Sequence, residues 1–568
     1  MLVMFFGGIS MLTLATSLKW ASGSASLNEK NNRVFTAAAA AEAASEKALA
    51  KLSADYAIGG ETTIYDNLAN DRYLIPDTSE SSYWTNFTFS NGSGTYGQIY
   101  VDRAKSMSYT DLYSQYAGLK GFASSYRIIA NARETMTGTK AAVCQDLQMA
   151  SIPVFQFAIF YGLDLELHSM TTMNVIGRVH GNSTNWTYPS ATLTFYSDVT
   201  AVGQMIKTRK PGDPSYSSSP PSGSIVYKAA KDSGVSSLIL PIGTNNAPTN
   251  IWQVLDLPPG GEDINSPMGR QRYYNKAELV IVVGNTSVTA FAKAPFSSTT
   301  YSIPFTNITK LISTNLNFVD QRENKRIRVV ELDVSSIQSW SYTNSAVSNA
   351  IGTNTAVNLI YIADQRTWTG TTNLNGVRLI SGQTLPARGL TVATPHPLYV
   401  KGHFNQPTAA HLGTTNTTNA KGASLVSDAL TILSSSWLDS ASAASYTTRD
   451  AVDTTVNAAI LTGIVETSTA GGGRYSGGAH NLGRFLEDWS GRTFTCNGSM
   501  VVLFPSQRAI GVFQQPGAYY NPPARNFAFD LNYQDITKQP PGTPEVRAMI
   551  RNAWATIPPD TTNWPLPN

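Results

Sequence analysis

The chain of 568 residues is short of charge: 41 Lys and Arg stand against 38 Asp and Glu, together 14% of the sequence, where soluble proteins carry roughly 25%. A net charge of +3 is too small for a protein built to hold a polyanion, so dedicated nucleic-acid binding is excluded. Two cysteines, Cys144 and Cys496, exclude a disulfide-dense scaffold and a Cys-based zinc site. They leave one long-range bridge, or two buried free thiols, as the readings. No G-x-S-x-G elbow and no H-E-x-x-H pair occurs. What replaces charge is small and polar: 57 Ser, 60 Thr and 39 Asn. With 42% apolar residues the chain is not globally disordered, and the composition reads as β-rich and exported.

Residues 1–18 (MLVMFFGGISMLTLATSL) carry no charged side chain, and the first basic residue is Lys19. That length is near the lower limit for a helix crossing a bilayer. A cleaved signal peptide, a buried core helix and a membrane anchor compete for the segment, and the helix-forming residues beyond it favour the anchor. From 28 to 56 there is neither Pro nor Gly, and residues 35–56 (FTAAAAAEAASEKALAKLSADY) are strong helix formers. The i,i+4 pairs Glu42–Glu46 and Lys47–Lys51 are like-charged and mildly unfavourable, so propensity alone supports the helix. Gly7-Gly8 and Gly23 weaken it, and Gly59-Gly60 ends it.

This layout resembles the N-terminal helix of type IV pilin-like proteins, the PilX-type pilus-assembly proteins in particular. Position 5 is Phe5 where a processed pilin carries Glu, and no basic leader ending in Gly precedes the apolar run. The expectation is therefore a start further upstream or a relative that bypasses prepilin processing. The segments IGRVHGN (176–182), PPGGEDINSP (258–267), NFVDQRENKRIRVVELDV (317–334), GLTVATPHPLYVKGHFN (389–405), ASLVSDALTILSSSW (423–437) and VNAAILTGIVET (456–467) are similar to uncharacterised PilX-like envelope proteins of bacteria. The resemblance implies a location and an architecture, and no catalytic residues.

Four regions are expected: residues 1–57 as the membrane-anchor, pilin-like helix; 58–138 as an irregular β-containing subdomain; 139–330 and 331–568 as two β-rich head regions. Residues 139–152 read as helical before Pro153, with Phe155, Phe157, Phe160 and Tyr161 in a core. Residues 165–206 are short strands with small polar turns, 207–223 an exposed loop with four Pro, and 277–293 a hairpin about Gly284-Asn285. The charge-dense stretch 320–333 is a solvated helix or edge strand, or else a docking surface. Further short β-branched runs come after it without a fixed period. The fold class is α+β, mainly β: a long helix and then an irregular, solenoid-like β-helix, with a β-sandwich as the alternative.

Candidate chemistry is thin. Asp164, Glu166 and His168 alternate along a strand and share one face, as cation ligands would; a polar edge is the plainer reading. His396, His403 and His411 match no metal spacing. GSGTYG (92–97) matches G-x-G-x-x-G, but it leads into a strand-like run where a dinucleotide site needs a helix, and the glycine run 471–478 lacks the GK[ST] ending. Asp428, Asp439, Asp450 and Asp453 are the carboxylates that a β-helix groove could bring together for acid–base work. No catalytic residue, metal ligand or cofactor is assigned. The functional residues expected are those of the anchor or filament-packing face, Phe5, Phe6, Ile9, Leu12, Leu14 and Leu18, with Cys144 and Cys496 as the candidate disulfide. The function expected is that of a non-enzymatic, exported envelope protein, anchored in the inner membrane or packed in a surface filament. Its partners would be the membrane, other pilin-like subunits and, through exposed Tyr and Trp, surface glycans, with no nucleic acid. An anchored carbohydrate-binding or carbohydrate-active β-helix protein is the alternative.

Overall fold

The computed structural model describes residues 2–243, 245–368, 370–470, 473–514 and 517–562. It divides into two compact units, one of Met1–Ser151 with Arg547–Asn568 and one of Ile152–Val546. The fold class is the expected one, a long helix followed by a β-rich body. The four expected segments do not coincide with these units, because the chain's last strand returns to the first unit's sheet.

The first unit is built on helix α1 (Leu2–Gly59), about 87 Å long at 1.5 Å per residue. Gly60, at a positive φ of 74°, breaks it before helix α2 (Glu61–Asp71). The sequence reading missed α2, although Ile64 and Leu68 stand one turn apart and both are buried. Strands β1 (Phe87–Ser90), β2 (Tyr100–Asp111), β3 (Lys120–Glu134) and β4 (Lys140–Pro153) come next. β3 pairs antiparallel with β1, β2 and β4, and the C-terminal strand Glu545–Ile557 lies beside β4. β4 corrects the helix expected before Pro153. Twelve residues from Phe122 to Arg133 pair across to it, and that tertiary pairing overrides the local helix preference of Ala and Gln.

Only the C-terminal half of α1 is packed. Ala37, Ala40, Ala41, Ala44, Ala48, Leu49, Leu52 and Tyr56 are buried at the 3–4 spacing of one helix face. From Ala40 onward they meet Phe87, Phe89, Val101, Tyr126, Ile128 and Val143 from the sheet, and Ile99 just before β2. The alanines let the helix axis approach the sheet closely. Ser45 Oγ donates to Gln145 Oε1 at 2.8 Å inside this contact. The like-charged pairs that weakened the sequence argument are relieved by opposite charges: Glu46 binds Arg551 and Lys47 binds Glu80 from outside the helix, and Lys51 binds Asp55 one turn along it.

The second unit is a parallel β-helix, which decides against the sandwich. Ile159, Val179 and Val199 pair in register, as do Leu165, Asn185 and Met205 on a second face and Met173 with Leu193 on a third. Every one of these spacings is 20 residues. The sequence reading found no period here because each face is only two or three residues long and its inward positions change identity from coil to coil. After the third coil the spacing widens to 32, at Leu193–Ile225, to admit the expected exposed loop. From Leu279 onward longer coils stack with spacings of 32, 33, 35 and 40 (Leu359–Thr391, Leu390–Ala423, Ser424–Ala459, Ile460–Met500). The hairpin at 277–293 is present as Leu279–Val283 and Val288–Ala292. Phe155, Phe157, Phe160 and Tyr161 are buried as expected.

The coils do not stack in chain order. Beginning at Ile159–Tyr161 they wind out to Lys231–Ser233; residues 234–278 then carry the chain to the opposite end of the same sheet, and it winds back. The last coil's strand Met500–Val502 pairs parallel with Ile159–Tyr161, the first coil's strand. Met500 N donates to Ala158 O at 2.9 Å, Gly162 N to Val502 O at 2.6 Å and Ser499 Oγ to Phe157 O at 2.6 Å.

The charge-dense stretch is partly solvated, with Arg326 exposed, and most of it lies on an inner strand rather than an edge. Ile312–Asp320 and Lys325–Asp333 form an antiparallel hairpin whose second strand also pairs with Asn373–Ile380. Asp320, Arg322 and Glu323 are buried: Tyr399 donates to Asp320, Arg484 pairs with Glu323 at 2.7 Å, and Arg322 Nε donates to Gly511 O. The disulfide expectation is corrected as well. Cys144 and Cys496 are free and buried, the first among Ile129, Ala142 and Ile557, the second in the β-helix core. Burial pushes their thiols up, to about 11 and about 12, so neither is a reactive thiolate at neutral pH.

A Cβ placed on Gly162 would sit 3.1–3.2 Å from the backbone of Leu503, whereas one on Gly260 would meet nothing within 4 Å. Gly162→Val therefore wedges the seam between first and last coils and is expected to cost about 1–3 kcal/mol, read as a lowered unfolding midpoint. Gly260→Val should leave the midpoint near that of the parent; equal effects of the two would contradict the seam.

Candidate functional site

Where the two arms of the β-helix meet, only one face is continuous. On the others the sheets stop at the seam: Met173–Val175 is the outermost strand of one sheet and Ala524–Ala528 of another. Between them opens a cleft of about 600 Å³, within the size range of small-molecule sites. Its first-arm wall comes from His168 to Asn174 with Arg209, and its second-arm wall from Tyr475, His480, Asn481, Phe513, Tyr520 and the segment Pro522 to Phe527.

The cleft floor is aromatic. Tyr475 stacks on His168 with ring centroids 5.3 Å apart and 14° between planes, and Phe513 meets Tyr475 edge-on at 5.4 Å. The same floor holds a cluster of buried polar atoms without hydrogen-bond partners among the described residues: both ring nitrogens of His168, Ser169 Oγ, Tyr475 Oη, His480 Nδ1 and Arg525 Nε. Native interiors leave few such atoms unpaired, each costing on the order of 1–3 kcal/mol. Asp213 Oδ2 stands 3.7 Å from His168 Nδ1, too long for a hydrogen bond.

Charge in the cleft is concentrated on one side chain. Burial holds the His168 imidazole down at about 4, with Arg209 adding to the effect and Asp213 opposing it. Burial, then Arg525 and His168, keep His480 well below the ordinary histidine range. Both rings are neutral at pH 7. Arg209 is neutralised by Asp213 at 2.7 Å. Arg525 has no carboxylate partner among the described residues: it donates to Asn481 Oδ1 and Pro523 O and lies over the Phe485 ring, 5.9 Å from its centroid.

The candidates singled out in the sequence are dispersed. Asp164, Glu166 and His168 do share one side of the strand Leu165–Leu167, but each has its own surroundings. Asp164 accepts from Ser183 and binds Lys210 at 2.7 Å; Glu166 accepts from Thr467 and Ser476. Among the described residues no three His, Cys, Asp or Glu are grouped to hold a metal ion. His396 Nε2 accepts from Asp364 N, His403 Nδ1 accepts from Thr455 N, and His411 sits beside Asn416, three separate places. Asp428 is a fully buried staple that accepts from Trp252 Nε1 and the backbone of Gln507, Arg508 and Ala509; Asp439 binds Arg378; Asp453 accepts from Thr493 N; Asp450 is exposed. They form no acid–base pair. Residues 92–97 are a turn at the end of β1. Of the glycine run, Gly471 and Gly472 lie outside the described residues, and Gly477 and Gly478 take positive φ beside the cleft. Arg525, Tyr475 and Phe513 had no signal in the sequence, because the cleft joins segments some 300 residues apart.

No protein-family model matches this chain. No curated protein matches it either. Among solved structures it is similar to the competence-associated pilin ComZ from Thermus thermophilus, with 12% identity over 92% of this chain and 97% of that one and a TM-score of 0.31.

Glu166, beneath the cleft, gives a pH test of this packing. Burial raises its carboxyl to about 7 against the opposing hydrogen bonds from Thr467 and Ser476, while an unfolded Glu titrates near 4.3. Its contribution to stability is thus full below about pH 4.3 and is lost as pH rises through about 7. Relative to the parent, Glu166→Gln should gain on the order of 2–3 kcal/mol between about pH 4.5 and 7, measured by denaturant unfolding at a series of pH values. A difference independent of pH would mean that the carboxyl is not held protonated.

Proposed function

We propose that this chain is a membrane-anchored, pilin-like envelope protein of the PilX type, acting through assembly and binding rather than through a reaction. One observation carries the reading: α1 is bare on every side over its first half and sealed onto a sheet over its second. Leu2, Val3, Met4, Phe5, Phe6, Ile9, Met11, Leu12, Leu14 and Leu18 are all exposed, and the apolar window has none of its residues buried. These side chains point around the whole helix, so a single groove on a partner could not cover them. A surrounding apolar medium could, either lipid or a ring of like helices.

The length agrees. Residues 2–18 span about 26 Å at 1.5 Å per residue, near the roughly 30 Å of a bilayer's hydrocarbon core. Lys19 and Trp20 then stand where the interface would lie, the place that favours a cation on a long stem and an amphipathic ring. Beyond them the helix turns polar, with Glu29 and Arg33 paired one turn apart. The helix preference of the Ala-rich stretch keeps the two halves one rod, so the folded unit is held at a fixed distance from the apolar segment. The bacterial inner membrane is the expected anchor site, with the folded units exported and filament packing through the same helix.

A C-terminally tagged full chain should sediment with inner membranes or with sheared surface filaments. The double substitution Phe5→Asp and Leu12→Asp, which places charge on the lipid-facing helix, should move most of it to the soluble pool. A parent chain found soluble, or a double variant still sedimenting with membranes, would overturn the anchor.

A further inference from the structure

We propose that the cleft at the seam of the β-helix is a binding site for a carboxylate-bearing saccharide, a uronic-acid unit whose carboxylate sits on Arg525. The proposal is independent of the anchor. Arg525 is the one guiding charge. It is largely withdrawn from water, its ordinary pairing with a protein carboxylate is absent among the described residues, and its guanidinium lies over the Phe485 ring. A buried guanidinium without an anion is costly, and a planar carboxylate matches its fork of donors. The neutral state of His168 and His480 means that no second cation competes for the anion, and Arg209 is already paired with Asp213.

The rest of the cleft suits a polyhydroxylated ring. Hydroxyls both give and accept hydrogen bonds, and the cleft-lining side chains whose polar atoms are orphaned just beneath its surface carry both kinds of group: a neutral imidazole has one donor and one acceptor nitrogen, and Ser169 Oγ and Tyr475 Oη can do either. Phe513 and Phe527 are half-buried on the cleft wall and supply flat apolar surface for the C–H face of a sugar. A simple inorganic anion would satisfy Arg525 and leave the aromatic wall and the orphaned hydroxyl partners unused.

The probes are tetramers of galacturonate, glucuronate and mannuronate, titrated calorimetrically against the detergent-solubilised full chain at low salt. The fully methyl-esterified galacturonate tetramer is the uncharged control, and tetraglutamate the acidic non-sugar control. Binding of at least one uronate tetramer is expected, at least tenfold tighter than either control. Folded Arg525→Gln should weaken it by at least tenfold, the scale of a lost charge-assisted pair. If Arg525→Gln does not fold, the ester and peptide comparisons on the unaltered chain decide the matter. Absence of binding by all three uronates at millimolar concentration would overturn the proposal. So would equal binding of the methyl ester, equal binding of tetraglutamate, or parent affinity in folded Arg525→Gln.

Discussion

The β-helix depends on one short contact, the pairing of Met500–Val502 with Ile159–Tyr161. A β-helix read in chain order has two ends and an uninterrupted stack. Here the chain enters in the middle, so the stack is continuous only if its last coil finds its first. Few hydrogen bonds hold the seam directly, but side chains on both sides of it are buried. Ile159, Tyr161 and Val502 face the long core, while Phe160 packs on Phe157 and His180 outside it. A parallel strand pair covered on both faces is the setting in which short strands are stable, and excluding water from the seam strengthens its bonds. The contact joins residues more than 300 positions apart, so its loop-closure cost falls late, after each arm has formed local coils.

That order explains which features were legible in the sequence. The long N-terminal helix was, because composition and the absence of helix breakers act locally: an uncharged run, an Ala-rich run, then Gly59-Gly60. The β-helix was half legible. Its strands showed as short β-branched runs, but its period did not, since a face of three residues commits too little to alternation and the inward positions accept Ile, Val, Leu, Asn or Met. β4 was misread because its Ala and Gln favour a helix in isolation, and only the facing strand β3 makes them extended. The cleft was illegible altogether. Glu166 and His168 drew notice as a metal-like pattern, yet what gives the region its character is Tyr475, Phe513 and Arg525, which reach it through the seam.

Low charge content has a structural counterpart in this chain. With so few ionisable groups, many of those buried do specific work in joining coils: Asp428 gathers the backbone of residues 507–509, Arg378 bridges Glu331 and Asp439, and Glu487 takes both the amide and the hydroxyl of Ser434. Each such group is expensive to bury and inexpensive once satisfied, which makes it a fixed point for loops that would otherwise have many conformations. Other buried polar atoms among the described residues also lack partners, Tyr161 Oη, Tyr273 Oη and Trp489 Nε1 among them; around His168, Tyr475 and Arg525 several of them line one cleft.

The seam and the cleft are two consequences of the same topology. Joining the first and last coils on one face leaves their other faces mismatched, because the first arm's coils beside the seam are 20 residues long and the second arm's coil beside it is 40, at Ile460–Met500. Strands that cannot register cannot pair, and the unpaired edges Met173–Val175 and Ala524–Ala528 open a gap that neither arm's residues fill. Had the arms equal coils, the three sheets could all continue and the gap would close into core. Unequal coil length at the seam therefore allows polar side chains to be placed deep in a β-helix without being paired by it.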